Sequence, residues 1–279
     1  MHNTLTRLAL VGGMLAITTL GANAHDHGGE MSIDALLEAD YRDDDRARDQ
    51  YRNPAETLEF FGIKPNMVLG EYGPGGGWYT RILAPMVAKK GTYVGINADV
   101  ETYNAGQDAE RNAQRKLFPT TFPTKVTEWT GLSGDNISAV EVDEAPEWAG
   151  KLDAIVTFRG LHGLTRKNLA DETLKHFYGL LKPGGIVGVV QHRAKEDAPY
   201  DYARGFRGYL KQSEVIATFE SQGFELVKTA EINANPADEA NWEKGVWTLP
   251  PTLTNGDTDR EKYMAIGETD RMTLLFKKP

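Results

Sequence analysis

Glu71-Tyr72-Gly73-Pro74-Gly75-Gly76-Gly77 sets a carboxylate ahead of a run of glycines, at the end of the apolar stretch that begins at Val68. Glycine has no Cβ and tolerates positive φ, so backbone N–H groups at such a bend approach a ligand closely. The helical pattern Trp78–Lys89 follows, and a helix start adds further N–H donors. This is the pattern of a nucleotide-type cofactor pocket. A carboxylate opening the loop suits a cationic amine; the alternative is that Glu71 fixes the loop by accepting backbone N–H bonds.

Four other side chains are candidates for chemistry. His162 lies just beyond the apolar run Leu152–Phe158, where parallel strands collect ligands at their carboxyl ends. It is a candidate general base, or a histidine that orders its loop. Arg159 on the same rim would hold a substrate carboxylate or pair with a structural acid. His192, followed by Arg193, ends the run Ile186–Gln191 and would form an acid–base or metal pair with His162. No close-spaced His/Asp/Glu ligand motif supports the metal reading. Tyr79, after the glycines, would donate to a ligand, while Trp78 would stack on it or pack on the helix face. The stretch Ala194–Leu210 carries Tyr200, Tyr202, Arg204, Phe206, Arg207 and Tyr209. It reads as a lid for an anionic or aromatic small molecule, or as an anchored solvated connection.

The elements that position these residues alternate in period. Met67–Glu71, Gly91–Asn97, Ile137–Val142, Leu152–Phe158 and Ile186–Gln191 read as strands, with Lys125–Trp129 competing for the third place. Helical patterns intervene at Trp78–Val87, Ala105–Leu117 and Leu169–Leu181, and Ser213–Gln222 precedes a strand at Phe224–Ile232. Asn53 is placed to cap a helix that starts at Pro54 and ends at Gly62. Tyr263–Gly267 and Met272–Lys277 read as a terminal hairpin around Glu268-Thr269-Asp270. The fold class is therefore α/β, a mainly parallel sheet with a C-terminal antiparallel hairpin.

Residues 1–24 have a basic start, the apolar run Leu8–Leu20 and a small-residue end, Ala22-Asn23-Ala24. That is the form of a secretory signal, too short for a span of about 20 residues, so no stable membrane span is expected after cleavage. The expected location is the periplasm or outside the cell. Residues 25–55 would form a polar arm with a short helix, and 56–279 the main domain. The chain has no cysteine, which excludes disulfides and thiolate sites, and its net charge of -9 argues against nucleic acid. Cleavage after Ala24 would expose His25-Asp26-His27. A free amine, backbone amides and His27 in third position form a square-planar site for Cu(II) or Ni(II), with His25 leading it. The sequence assigns no oligomeric state.

Three segments together carry a resemblance: Glu71–Thr80, Thr157-Phe158-Arg159-Gly160-Leu161-His162 and Leu181-Lys182-Pro183-Gly184-Gly185. In them the chain resembles the class I S-adenosylmethionine-dependent methyltransferases, most closely an exported group called predicted methyltransferases, over roughly residues 56–279. The resemblance implies a Rossmann-like sandwich. It implies that Glu71, Gly73, Gly75 and Gly77 hold the methionine part of S-adenosylmethionine. The family's ribose-binding carboxylate at the second strand's end is replaced here by Asn97, with Asp99 two residues on. An amide is a poorer partner for two hydroxyls, because its nitrogen only donates. The acid beside adenine would be Asp143 or Glu144, or Asp135 if the third strand lies elsewhere. The implied activity is methyl transfer to a small molecule. The alternatives are an exported enzyme that reuses the fold for acid–base chemistry (lyase, isomerase or hydrolase) without this cofactor, and a non-catalytic ligand- or metal-binding protein.

Overall fold

Alternating apolar strands and amphipathic helices build one mixed sheet covered on both faces. The computed structural model describes residues 32–106 and 108–279. An arm of short helices comes first: α1 (Ile33–Leu37), α2 (Asp43–Arg46) and α3 (Asp49–Arg52). Then α4 (Pro54–Phe61) has Pro54 in its first turn and Gly62 at φ 72 as its end, both as expected. The expected Asn53 side-chain cap does not form. Its Nδ2 donates instead to the Ile232 carbonyl at 2.7 Å, a tertiary bond that ties the arm to the far side of the sheet.

The body runs β1 (Val68–Tyr72), α5 (Thr80–Val87), β2 (Thr92–Asn97), α6 (Val100–Tyr103), α7 (Ala109–Lys116), α8 (Phe118–Thr130) and β3 (Ile137–Glu141). It continues through β4 (Leu152–Phe158), α9 (Leu161–Thr165), α10 (Ala170–Leu180), β5 (Leu181–Ala194), α11 (Tyr200–Ala203), β6 (Leu210–Lys211) and α12 (Gln212–Ser221). It closes with β7 (Glu225–Ala230), α13 (Arg260–Ile266) and β8 (Arg271–Lys277). The strand order is β3-β2-β1-β4-β5-β8-β7, with β6 pairing the end of β5. The neighbours from β3 to β5 are parallel; β8 runs antiparallel to both β5 and β7.

Two sequence expectations give way to tertiary packing. Tyr263–Gly267 is not a strand: Arg260–Ile266 is helical and buries only Tyr263, and the antiparallel partners of β8 are β5 and β7. A five-residue apolar run fits either period, and the strand already supplied by β7 fills the place. Lys125–Trp129 lies inside α8, where Phe122 and Val126, four apart, make the buried stripe.

Helices α4, α5 and α8 cover one face, packing Phe61, Ile82 and Val126 with Leu69, Tyr93 and Val156. On the other, Phe177 of α10 and Phe219 of α12 meet Ile96, Ile155, Val189 and Phe276. Sheet order reverses between β1 and β4, and their carboxyl ends therefore border a crevice. Register decides what meets there. Tyr72 pairs with Thr157, Phe158 with Val190, and His192 with Arg271, bringing the ends of β1, β4 and β5 and the start of β8 to one edge.

Candidate active site

The loop after β1 turns at Gly73, Gly75 and Gly77, with φ of 67, 56 and 78. The Gly73 N–H donates to Ile96 O at 2.8 Å and the Gly77 N–H to Pro74 O at 2.9 Å. A Cβ on Gly73 or Gly76 would meet nothing within 4 Å, whereas one on Gly77 would lie 2.3 Å from the Trp129 ring. The first part of the loop thus borders open space and the last is packed. A cavity of about 230 Å³ lies there, lined by Glu71, Gly73–Gly76, Phe158, Arg159 and, from the arm, Asp45, Arg48 and Arg52.

Glu71 is almost fully buried, and its Oε2 accepts from Thr80 Oγ1 at 2.7 Å and Tyr93 Oη at 2.6 Å. Burial pushes its carboxyl up to about 7, and these two hydrogen bonds oppose the rise. Tyr79 packs flat on Phe158, ring centroids 3.4 Å apart, and its hydroxyl donates to Arg52 O at 3.3 Å. Trp78 Nε1 donates to Asp45 O at 3.2 Å, and the Arg52 guanidinium lies over its ring. Both aromatics fasten the arm across the loop.

A second cavity of about 220 Å³ adjoins the first and shares Arg48, Arg52 and Arg159 with it; His192, Trp247, Pro250, Pro251, Thr269 and Arg271 complete its walls. On its wall Glu268 accepts from Arg48 Nε at 2.9 Å, Arg52 Nε at 3.1 Å and Arg271 Nη2. Arg159 Nη1 stands 3.9 Å from the same carboxylate. Arg159 takes φ 60, held by its N–H bond to Val190 O at 2.7 Å. Burial, then the neighbouring Arg271 charge, lowers its guanidinium to about 10.

His162 and His192 face each other with ring centroids 5.9 Å apart, and Trp247 lies 6.0 Å from His162. His192 Nδ1 and Thr269 Oγ1 are 2.5 Å apart. Burial, then Arg166, lowers His162 to about 4; burial, then Arg271, holds His192 well below its ordinary value. Both rings are neutral at pH 7.

The other expected residues lie apart from this cluster. Asn97 ends β2, and Asp143 is exposed just past β3. Near them a cavity of only about 40 Å³ is lined by Ala98, Asp99, Tyr103, Val142 and Asp143. Asp99 caps α6 by accepting from the Glu101 N–H at 2.7 Å, and Glu141 Oε2 accepts from the Val100 N–H at 3.0 Å. The carboxylates of Asp99, Glu141 and Asp143 lie within 4.8 Å of one another. His25 and His27 fall outside the described residues. In the 194–210 stretch Tyr202 stacks on Tyr209, and Arg204 lies between the exposed Tyr200 and Phe206 rings.

The sequence reading missed Arg48, Arg52, Trp247, Glu268 and Arg271. A signal existed for two of them: Arg48 and Arg52 are four apart in a polar arm, hence on one face if helical. Glu268 read as a turn residue because nothing local marks its long-range partners.

No family model and no curated protein sequence matches the chain. Solved structures do match it. An S-adenosylmethionine-dependent methyltransferase from Aquifex aeolicus aligns over 89% of this chain and all (100%) of its own, at 17% identity and a TM-score of 0.51. A geranyl diphosphate methyltransferase solved with S-adenosylmethionine aligns over 91% of this chain and 93% of its own, at 12% identity and a TM-score of 0.51. At such identities the likeness is one of architecture, and it agrees with the strand order and the antiparallel β8. The chain has the Rossmann-like fold of class I S-adenosylmethionine-dependent methyltransferases.

Proposed function

We propose that this chain is an enzyme that transfers the methyl group of S-adenosylmethionine to a small molecule, with the donor on the glycine loop and the acceptor in the adjoining cavity. The observation that carries this reading is the continuity of the two cavities through Arg48, Arg52 and Arg159. The fit to the donor divides in two. Gly73, Gly75 and Gly76 give an open cradle, with Arg159 beside it for a carboxylate, and these suit the amino-acid half. For the adenosine half, Asn97, Asp99 and Asp143 would be the partners, but the cavity beside Asp99 and Asp143, about 40 Å³, is far smaller than the one of about 230 Å³ at the glycine loop.

When bound, the donor supplies an electrophilic methyl group. The chain's own residues would align the acceptor, exclude water and manage its proton. The arm, through Trp78 and Tyr79, and the Trp247–Thr252 segment wall off the cleft. His192, on the wall of the acceptor cavity and held by Thr269, would orient the acceptor, and His162, whose neutral ring lies 5.9 Å behind it, is the candidate to take its proton.

A second reading is favoured by a specific observation. Glu71 Oε2 is already engaged by Thr80 and Tyr93, and the space near Asn97 is small, as expected of a fold reused for acid–base chemistry without this donor. Export to the periplasm or beyond, proposed from residues 1–24, adds to that reading. The Cu(II) or Ni(II) site at His25 and His27 is proposed from sequence alone.

Calorimetry with S-adenosylmethionine and S-adenosylhomocysteine separates the two. Saturable binding that disappears in Gly75→Val supports methyl transfer. Absence of binding at millimolar ligand rejects it in favour of the second reading.

A further inference from the structure

The second cavity holds more positive charge than the protein neutralises. Four guanidiniums, of Arg48, Arg52, Arg159 and Arg271, converge on a single carboxylate, Glu268. That leaves a surplus of three positive charges around it. Nearby acids offset little of the surplus: Asp45 is paired with Arg81 and Asp49 with Arg42, and Glu71, bonded by the neutral hydroxyls of Thr80 and Tyr93 and pushed up by burial to about 7, supplies at most part of one charge. Arg52 and Arg271 are only 1% and 2% exposed as side chains, so the surplus sits where water screens it poorly.

Hydrogen bonding is short by the same measure. Arg52 Nη1 and Arg271 Nε are buried donors with no partner, and both residues line the cavity. Buried guanidinium donors are ordinarily satisfied, because leaving one unpaired is costly. His192, on the cavity wall, adds a donor rather than charge. A Thr269 hydroxyl that donates to His192 Nδ1 leaves the ring proton on Nε2.

We propose that this cavity binds a compact dianionic group, a phosphate monoester or a dicarboxylate, and that the acceptor substrate carries it. A dianion supplies two charges and several acceptor oxygens to planar forks built for such geometry. The Trp247 ring and the Pro250–Pro251 wall take the less polar part of the molecule. That this dianion belongs to the acceptor rests on the proposed division of the cleft; the binding itself does not.

The test is calorimetry on the full chain, without S-adenosylmethionine, using inorganic phosphate, malonate and acetate as probes. Phosphate or malonate should saturate at one equivalent, with acetate about tenfold weaker or more. The better of the two dianions identifies the source. Arg48→Gln, on a partly exposed residue, should weaken the dianion by about tenfold, and the remote exposed Arg111→Gln should not. Failure of both dianions to saturate, or equal weakening in the two variants, overturns the proposal. If Arg48→Gln does not fold, NMR titration of the wild-type protein decides: a saturable dianion-dependent shift of the His192 ring, which lines the cavity, supports the site, and an unmoved His192 ring rejects it. Donor binding is measured separately, so its loss with dianion binding intact rejects methyl transfer alone.

Discussion

Arg52 and Glu268, 216 residues apart in the chain, form a buried ion pair with Nε 3.1 Å from Oε2. Through it the N-terminal arm is fastened to the turn that leads into β8, and both segments become walls of one cleft. Glu268→Gln would leave the converging guanidiniums without a counter-charge. Loss of one partner of a buried pair costs about 3–5 kcal/mol. Urea unfolding should show that loss, and added phosphate should recover part of it; unchanged stability would remove Glu268 as their counter-charge.

Glu71 gives stability a distinctive pH dependence. Its folded pKa, about 7, lies above the 4.5 of an ordinary glutamate, so the folded state holds the proton more tightly. Its contribution is present below about 4.5 and is lost as pH rises to about 7, a change on the order of 3 kcal/mol. Glu71→Gln should remove this dependence and narrow or reverse the stability gap at pH 8. Parallel unfolding curves of the two proteins from pH 4 to 8 would refute the assignment.

His162 makes the opposite prediction for activity. A base must be unprotonated, and the ring's pKa of about 4 in the free protein puts the acid limb of kcat/KM near 4, not near the 6.5 of a free histidine. Once an activity is in hand, His162→Asn should lower kcat by roughly a hundredfold or more with donor affinity unchanged. A limb near 6.5, or an unaltered kcat, would assign the proton to another group.

The glycine loop offers a contrast between neighbours. Gly77→Ala drives a Cβ to 2.3 Å from Trp129 at φ +78, and a loss of about 1–3 kcal/mol is expected. Gly76→Ala points into open space and should stay within about 0.5 kcal/mol. Thermal melts of both variants measure the difference.

Much of this protein follows from local pattern. The apolar strands, the helix from Pro54 to Gly62, the glycine turn after β1 and the ends of β4 and β5 are each specified by a few adjacent residues, whose period and φ requirements act within one or two turns of chain. Hence Glu71, Arg159, His162 and His192 were legible as candidates. The partners of those residues were not. Register placed His192 beside Arg271, packing turned Tyr263 into a helical residue, and Glu268 drew Arg48 and Arg52 from the far end of the chain. Those outcomes depend on which distant charges and surfaces meet once the sheet has closed, and nothing in a short window of sequence encodes such a meeting.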